Sequence, residues 1–192
     1  MNDTSGASVG SGCAMRGRYA RESGFEPHVY ERTKTIEVPR AVAWQWLSTP
    51  ETFTRQVWPY RVEFVDSSGV AGASGFAPGV LNMHHGPLLH CPGVLTSVTQ
   101  DLDDGRSYRD LQYFYGAFIV SPRLIRPTRL EFWLDGDESR SMITLRVSCD
   151  VTPWLSGVWT KLQSVFWNSF YAWAKRDGRR LAKRGASNDA ER

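Results

Sequence analysis

Residues 153 to 184, PWLSGVWTKLQSVFWNSFYAWAKRDGRRLAKR, are the longest periodic stretch of the chain and set how the rest is read. Apolar side chains fall at Leu155, Val158, Trp159, Leu162, Val165, Phe166, Phe170 and Trp173. That three-and-four spacing gathers one stripe on one side of an α-helix. A helix of roughly 28 residues is about 42 Å long at 1.5 Å per residue, so something equally broad must lie beneath it. The segments that precede it alternate as β-strands do, which predicts a long carboxy-terminal helix laid across a curved sheet.

Working outward, Ile143, Leu145, Val147, Cys149 and Val151 give the cleanest alternation, with Thr144, Arg146, Ser148 and Asp150 on the other face, and Thr152-Pro153 then starts the helix. Before it, Asp135-Gly136-Asp137 reads as a turn, Leu130, Phe132 and Leu134 share a face, and residues 121 to 127 form a Pro-containing loop. Asp103-Asp104-Gly105 is a hairpin signal that closes a fourth strand, from Leu89 or Val94 to Gln100, onto a fifth, from Arg106 to Tyr115. A third strand runs from Val80 to His85, broken at Gly86-Pro87, and YRVEFVD at 60 to 66 is the second. HVYERTKTIEV at 28 to 38 is the first. Pro39 opens a short helix after it, and Thr49-Pro50 starts another. Ser67 to Pro78, rich in Gly, Ser and Ala, is a connection.

Sequential hairpins mean an antiparallel sheet of six or seven strands, and helices segregated to the ends of that run mean an α+β protein. The expected organisation is one domain over residues 27 to 184, with disordered tails at 1 to 26 and 185 to 192. The first 26 residues are polar, small and aperiodic, a composition that buries too little surface to offset the entropy of ordering.

Composition narrows the partners. With 192 residues, 41% of them hydrophobic, the chain can build one real core. Eight Trp supply rings for a core or a cavity wall. The balance of 23 basic against 20 acidic residues argues against a polyanion as partner across the whole surface. Cys13, Cys91 and Cys149 fit neither a disulfide framework nor a zinc spacing. No apolar run approaches the roughly 18 residues of a membrane span, so the expectation is a soluble, cytoplasmic protein. There is no Gly-rich phosphate loop, CxxC pair, HExxH or GxSxG, and no cofactor or metal is expected.

TKTIEVPRAVAWQWLSTPETFTRQ at 33 to 56, the YRVEF strand after it, ITLRVSCDVTP at 143 to 153 and the long final helix together resemble the helix-grip fold of the START/Bet v 1-like superfamily over residues 28 to 184. The resemblance implies a sheet wrapped around the helix with a hydrophobic cavity between them. Its members include carriers, lipid-transfer domains and polyketide cyclases, so it implies a pocket rather than a reaction.

Several residues are candidates for chemistry. His84 and His85 point to opposite faces of a strand, and His90 lies beyond Gly86-Pro87, so shared metal ligation is awkward. One of them can move protons near neutrality. On the fifth strand Arg109, Tyr113 and Tyr115 share one parity and supply polar groups that orient a ligand. The candidate catalytic set is His84, His90, Arg109 and Tyr113. The candidate ligand-binding wall is Trp46, Phe64, Tyr115 and Phe132 with Trp159, Leu162, Phe166 and Phe170 from the final helix.

Lys175, Arg176, Arg179, Arg180, Lys183 and Arg184 face only Asp177 as an acid. They complement the negative end of the helix dipole, and they also suit transient contact with an anionic membrane. Nucleic acid is not expected, because no aromatic platform accompanies them. Two functions compete: binding of a hydrophobic or aromatic small molecule or lipid, and a cyclase/aromatase-type reaction in the same pocket. Binding is preferred because no acid–base pair can be placed in one spot.

Overall fold

The computed structural model describes residues 24–55, 61–65, 77–86, 89–102, 104–113 and 124–190. Strand β1 (Glu26–Ile36) leads to helices α1 (Arg40–Ser48) and α2 (Pro50–Arg55). Then come β2 (Arg61–Val65), β3 (Leu81–Gly86), β4 (Leu89–Thr99), β5 (Ser107–Tyr113), β6 (Ile125–Gly136) and β7 (Ser141–Val151). A 3-10 turn at Pro153–Leu155 feeds α3 (Ser156–Ala190). The sheet has seven strands in the order β1-β7-β6-β5-β4-β3-β2, with every pairing antiparallel. The first strand therefore returns to lie beside the last, and the hairpin run from β2 to β7 spans the rest.

Alternation in the sequence becomes two faces. Leu95, Leu130, Val147 and Tyr30 fall on the concave side, in one row set by the register pairs Leu95–Leu111, Leu111–Leu130, Leu130–Val147 and Val147–Tyr30. Phe132, Leu134, Ile143, Leu145 and Val151 are all but sealed from solvent. The core is thus thickest over β6 and β7. Strand β6 begins at Ile125, five residues before the first position that alternation marks, and so includes Pro127 from the expected loop. A register shift between Pro127 and Arg129 explains both facts. A bulge accepts a residue that cannot donate to the ladder, and it breaks the parity that would have signalled the strand.

The turns follow their chemistry. Gly136 has φ 137°, and a Cβ there would lie 2.3 Å from the Arg140 carbonyl oxygen, so only glycine fits. Asp137 Oδ1 accepts from the backbone N–H of Ser139 and Arg140 at 2.7 and 3.0 Å. Arg40 N–H donates to the Asp137 carbonyl at 2.9 Å and Ser141 Oγ to the Val38 carbonyl at 2.6 Å, which fastens the start of α1 to the β6–β7 hairpin. Thr49, expected to cap α2, instead donates backwards to the Gln45 carbonyl at 2.6 Å.

Helix α3 differs from its sequence reading in two ways. Its buried line is Gln163, Trp167, Phe170, Tyr171, Ala174 and Asp177, whereas Val158, Leu162 and Val165 of the expected stripe are more than half exposed. Of that stripe Phe170 is buried and Leu155, Trp159, Phe166 and Trp173 pack against the core, while Gln163, Trp167, Tyr171, Ala174 and Asp177 take the other inward positions. A Cβ on Gly178 would stand 2.9 Å from Val38 Cγ1, so the helix reaches this close only through a residue without one. Trp167 Nε1 donates to Gln163 Oε1 at 2.5 Å, and Asp177 holds Arg176 at 2.7 Å, which removes the penalty of burying both polar groups. The helix also runs on to Ala190, through most of the expected carboxy-terminal tail. Propagating a formed helix adds a backbone bond for each residue fixed, so no capping signal is needed to continue it.

A polar seam sets α3 against the sheet edge. His28 Nε2 meets Thr160 Oγ1 at 2.8 Å, Arg32 Nη1 donates to Ser164 Oγ at 2.8 Å, and Lys34 Nζ donates to Asn168 Oδ1 at 2.8 Å. Among the described residues no helix is long and apolar enough to cross a membrane.

Candidate functional site

The half of the sheet away from this seam carries the polar groups of the concave face. Register aligns Phe64, Asn82, Gly93 and Tyr113 across β2, β3, β4 and β5. Phe64 and Asn82 are buried, and Gly93 has no side chain to fill the row. Two residues along, His84 pairs with Val62, itself buried. His84 Nε2 lies 2.9 Å from Asn82 Oδ1, so an N–H on that nitrogen donates to the amide oxygen. The other end of the same amide is unsatisfied among the described residues: Asn82 is 2% exposed, and its Nδ2 finds no hydrogen-bond partner there. Leaving a buried donor unmet costs about 1–3 kcal/mol.

Arg109 is 3% exposed and forms the back of this region. Its Nη1 donates to the Leu47 carbonyl at 2.5 Å, at the carboxy-terminal turn of α1 where helix carbonyls lack partners. The guanidinium stands 4.6 Å from the Phe53 ring centroid and 4.8 Å from that of Phe132. A cation between two ring faces retains favourable electrostatics when water is gone. Arg109 thus ties α1 and α2 to β5 and β6.

Electrostatics set the state of His84. Burial, first, and then the charges of Arg109 and His85 hold its pKa down at about 3. The imidazole is neutral at physiological pH. Arg109 and His85 act in the same direction as burial. The buried acids of the described residues lie elsewhere: Glu131 accepts from Tyr108 Oη at 3.0 Å on the convex side, where Arg146 also covers the Trp133 ring at 5.0 Å, and Asp177 is on α3.

Of the four candidate catalytic residues, the fold brings His84 and Arg109 together and gives Tyr113 a register position on the same face. His90 pairs with His85, the parity on which His85 Nε2 meets Glu63 Oε2 at 3.2 Å, and not that of His84. Tyr115 lies outside the described residues. The candidate wall divides in two. Trp46, Phe132 and Phe170 join in one ring cluster, with Phe170 at 5.2 Å from Trp46 and 5.6 Å from Phe132, so the helix and sheet touch there directly. Trp159, Phe166 and Trp173, seven apart, form the half-buried flank of α3 turned from β1, and Leu162 beyond them is half exposed. The indole of Trp159 is turned inward, with its Nε1 buried and its side chain against the Cys149 thiol of β7.

Asn82 was not among the sequence candidates, nor were Val62, Gly93 and Phe53. For Asn82 a signal existed, since LNMHHG places it two residues before His84 on a strand. Nothing in the sequence marks Gly93 as a gap in the concave row. Among the described residues no three His, Cys, Asp or Glu side chains converge as metal ligands.

No family model matches the sequence, and no curated protein is similar to it in sequence. Similarity appears in solved structures. The fold is similar to that of Ara h 8.0201, with a TM-score of 0.52 and 14% identity over 80% of this chain and 98% of that one. It is similar to a Thalictrum flavum norcoclaurine synthase point mutant bound to a transition-state analogue, with a TM-score of 0.54 and 10% identity over 83% of this chain and 98% of that one. The Thalictrum flavum enzyme in complex with dopamine and hydroxybenzaldehyde gives a TM-score of 0.51 and 12% identity over 85% and 89%. Identities this low speak for fold alone, and on that evidence the chain has the helix-grip fold that these structures share, a curved antiparallel sheet with a long carboxy-terminal helix.

Proposed function

We propose that this chain binds a hydrophobic or aromatic small molecule carrying one hydrogen-bond acceptor, held between the β2–β5 half of the sheet and the flank of α3 formed by Trp159 and Phe166. The observation that carries this reading is the buried, unpaired Nδ2 donor of Asn82, hydrogen-bonded through its oxygen to His84 on the concave face. A guest with a carbonyl or ether oxygen at that point relieves the cost of the unmet donor, while its apolar body covers Phe64 and Val62. Neutral His84 suits such a guest better than a charged ring, because it keeps the site free of an unpaired cation. The complex of a similarly folded protein with dopamine and hydroxybenzaldehyde supports ring-sized guests for this fold.

A cyclase-type reaction would ask His84 to take a proton at neutral pH. A ring whose pKa is held near 3 is protonated only to a minute extent there. Binding is the reading this favours.

The test is a pair of isosteric probes, 2-acetylnaphthalene with an acceptor and 2-ethylnaphthalene without one, titrated against tryptophan fluorescence. The acetyl compound should bind roughly tenfold more tightly, as one recovered hydrogen bond implies. Asn82→Leu should erase the preference and keep affinity for the ethyl compound. His84→Ala should leave retention of both largely intact. Absence of binding by either probe would sink the proposal, and equal affinities in the wild type would remove Asn82 from it.

A further inference from the structure

The outward face of α3 changes character along its length. Trp154, on the turn before the helix, is 71% exposed, and Val158, Leu162 and Val165 are 51%, 51% and 68% exposed. Val158, Val165, Ala172 and Arg179 follow one another at seven-residue intervals, nearly one line on a helix surface that drifts only about 20° per seven residues. Apolar groups occupy the first half of that line. In the second half Ala172, Lys175, Arg176, Arg179, Arg180 and Lys183 line an open groove of about 440 Å³. Among the described residues two carboxylates answer these cations: Glu37, in an ion pair with Lys175 at 3.6 Å and with Arg179 as well, and Asp177, which takes Arg176 and Arg180.

We infer that this face docks the protein on an anionic lipid bilayer, with α3 lying in the plane of the interface. A bilayer surface offers an apolar layer and a negative layer at one depth, and only such a partner satisfies both halves of the line together. A Trp beside exposed aliphatic side chains suits the headgroup boundary, where the indole ring is apolar and its N–H stays wet. A second copy of the chain is a worse fit. Placed parallel, it opposes cations with cations, and placed antiparallel it presses cations onto valines, where they lose water and gain no counter-charge. The surface pairs with Glu37 do not hold the cations back, since exposed pairs contribute little. The inference is independent of what the concave face holds, because none of these residues belongs to it.

Co-sedimentation with phosphatidylcholine vesicles, with and without roughly 30% phosphatidylserine, tests it. The protein should sediment with the mixed vesicles, stay in solution with pure phosphatidylcholine, and be released at about 1 M salt, where the Debye length is about 3 Å. Lys175→Gln with Arg179→Gln and Lys183→Gln should weaken binding roughly fivefold per charge removed. Val158→Asp with Val165→Asp should weaken it at unchanged positive charge count, and Val165→Ser alone reads the apolar half should that pair disturb folding. Indifference to phosphatidylserine, or wild-type binding by either set of variants, overturns the inference. So does a concentration-dependent dimer that Val158→Asp dissolves, since a second copy would then be the occupant.

Discussion

At the scale of single residues, His84 makes a pH prediction whose direction is fixed by its surroundings. In the unfolded chain the ring takes a proton near its ordinary 6.5, and in the folded protein not until about 3. Between those values the unfolded state binds more protons, so stability falls as pH drops through 6.5 and stops falling near 3. Above the unfolded value the contribution is fully present. His28, also held low by burial, acts in the same sense. Urea unfolding should therefore show a loss of roughly 1–2 kcal/mol from this ring between about pH 7 and about pH 4, the half-buried imidazole being partly screened by water. His84→Gln should flatten that slope in part, and an unchanged slope would refute the burial argument. Cys149 offers a second check: burial pushes its thiol up to about 12, so it should resist alkylation until the protein unfolds.

Elements show which parts of the fold were legible in the sequence. Strict alternation located β7 and β2, the Asp103-Asp104-Gly105 signal located the β4–β5 hairpin, and parity put His84 and His85 on opposite faces. Bulges defeat parity, which is why β6 began earlier than expected at Ile125. The existence of α3 was readable but its rotation was not. Spacing rewards any apolar residue, and here close approach was given to Ala174 and Gly178 while valines were left outside. Arg109 was marked by its parity, yet its bond to the Leu47 carbonyl is a contact across 62 residues that no local pattern encodes. The rotation predicts an asymmetry in mutation. Trp167→Ala should cost about 3–5 kcal/mol, Val165→Ser should stay within about 0.5 kcal/mol, and Gly178→Leu should cost about 1–3 kcal/mol through overpacking against Val38. Thermal or denaturant unfolding of the three variants reads this directly, and a large cost at Val165 would restore the original stripe.

Across the whole molecule, stability and the candidate site occupy different halves of one sheet. The side chains most completely removed from water, Leu134, Ile143, Leu145 and Val151, belong to β6 and β7, and β1 and α3 are fastened to that half by the His28, Arg32 and Lys34 seam. β2 and β3 form the far end of the sheet, where β2 is five residues long and an edge, and it is here that Asn82 and His84 lie. Opening this end exposes less apolar surface than separating β6 from β7, so local opening should occur there at lower free energy than global unfolding. A guest in the concave face binds only the closed form, and mass action then adds to the stability of that end. Native-state hydrogen exchange should accordingly find the slowest amides in β6 and β7 and faster ones in β2 and β3. Adding 2-acetylnaphthalene at about 100 times its dissociation constant should slow β2 and β3 by up to about a hundredfold, leaving β6 and β7 less affected. Uniform protection along all seven strands, with or without the probe, would show that the two halves open as one unit and that the site has no local freedom to admit a guest.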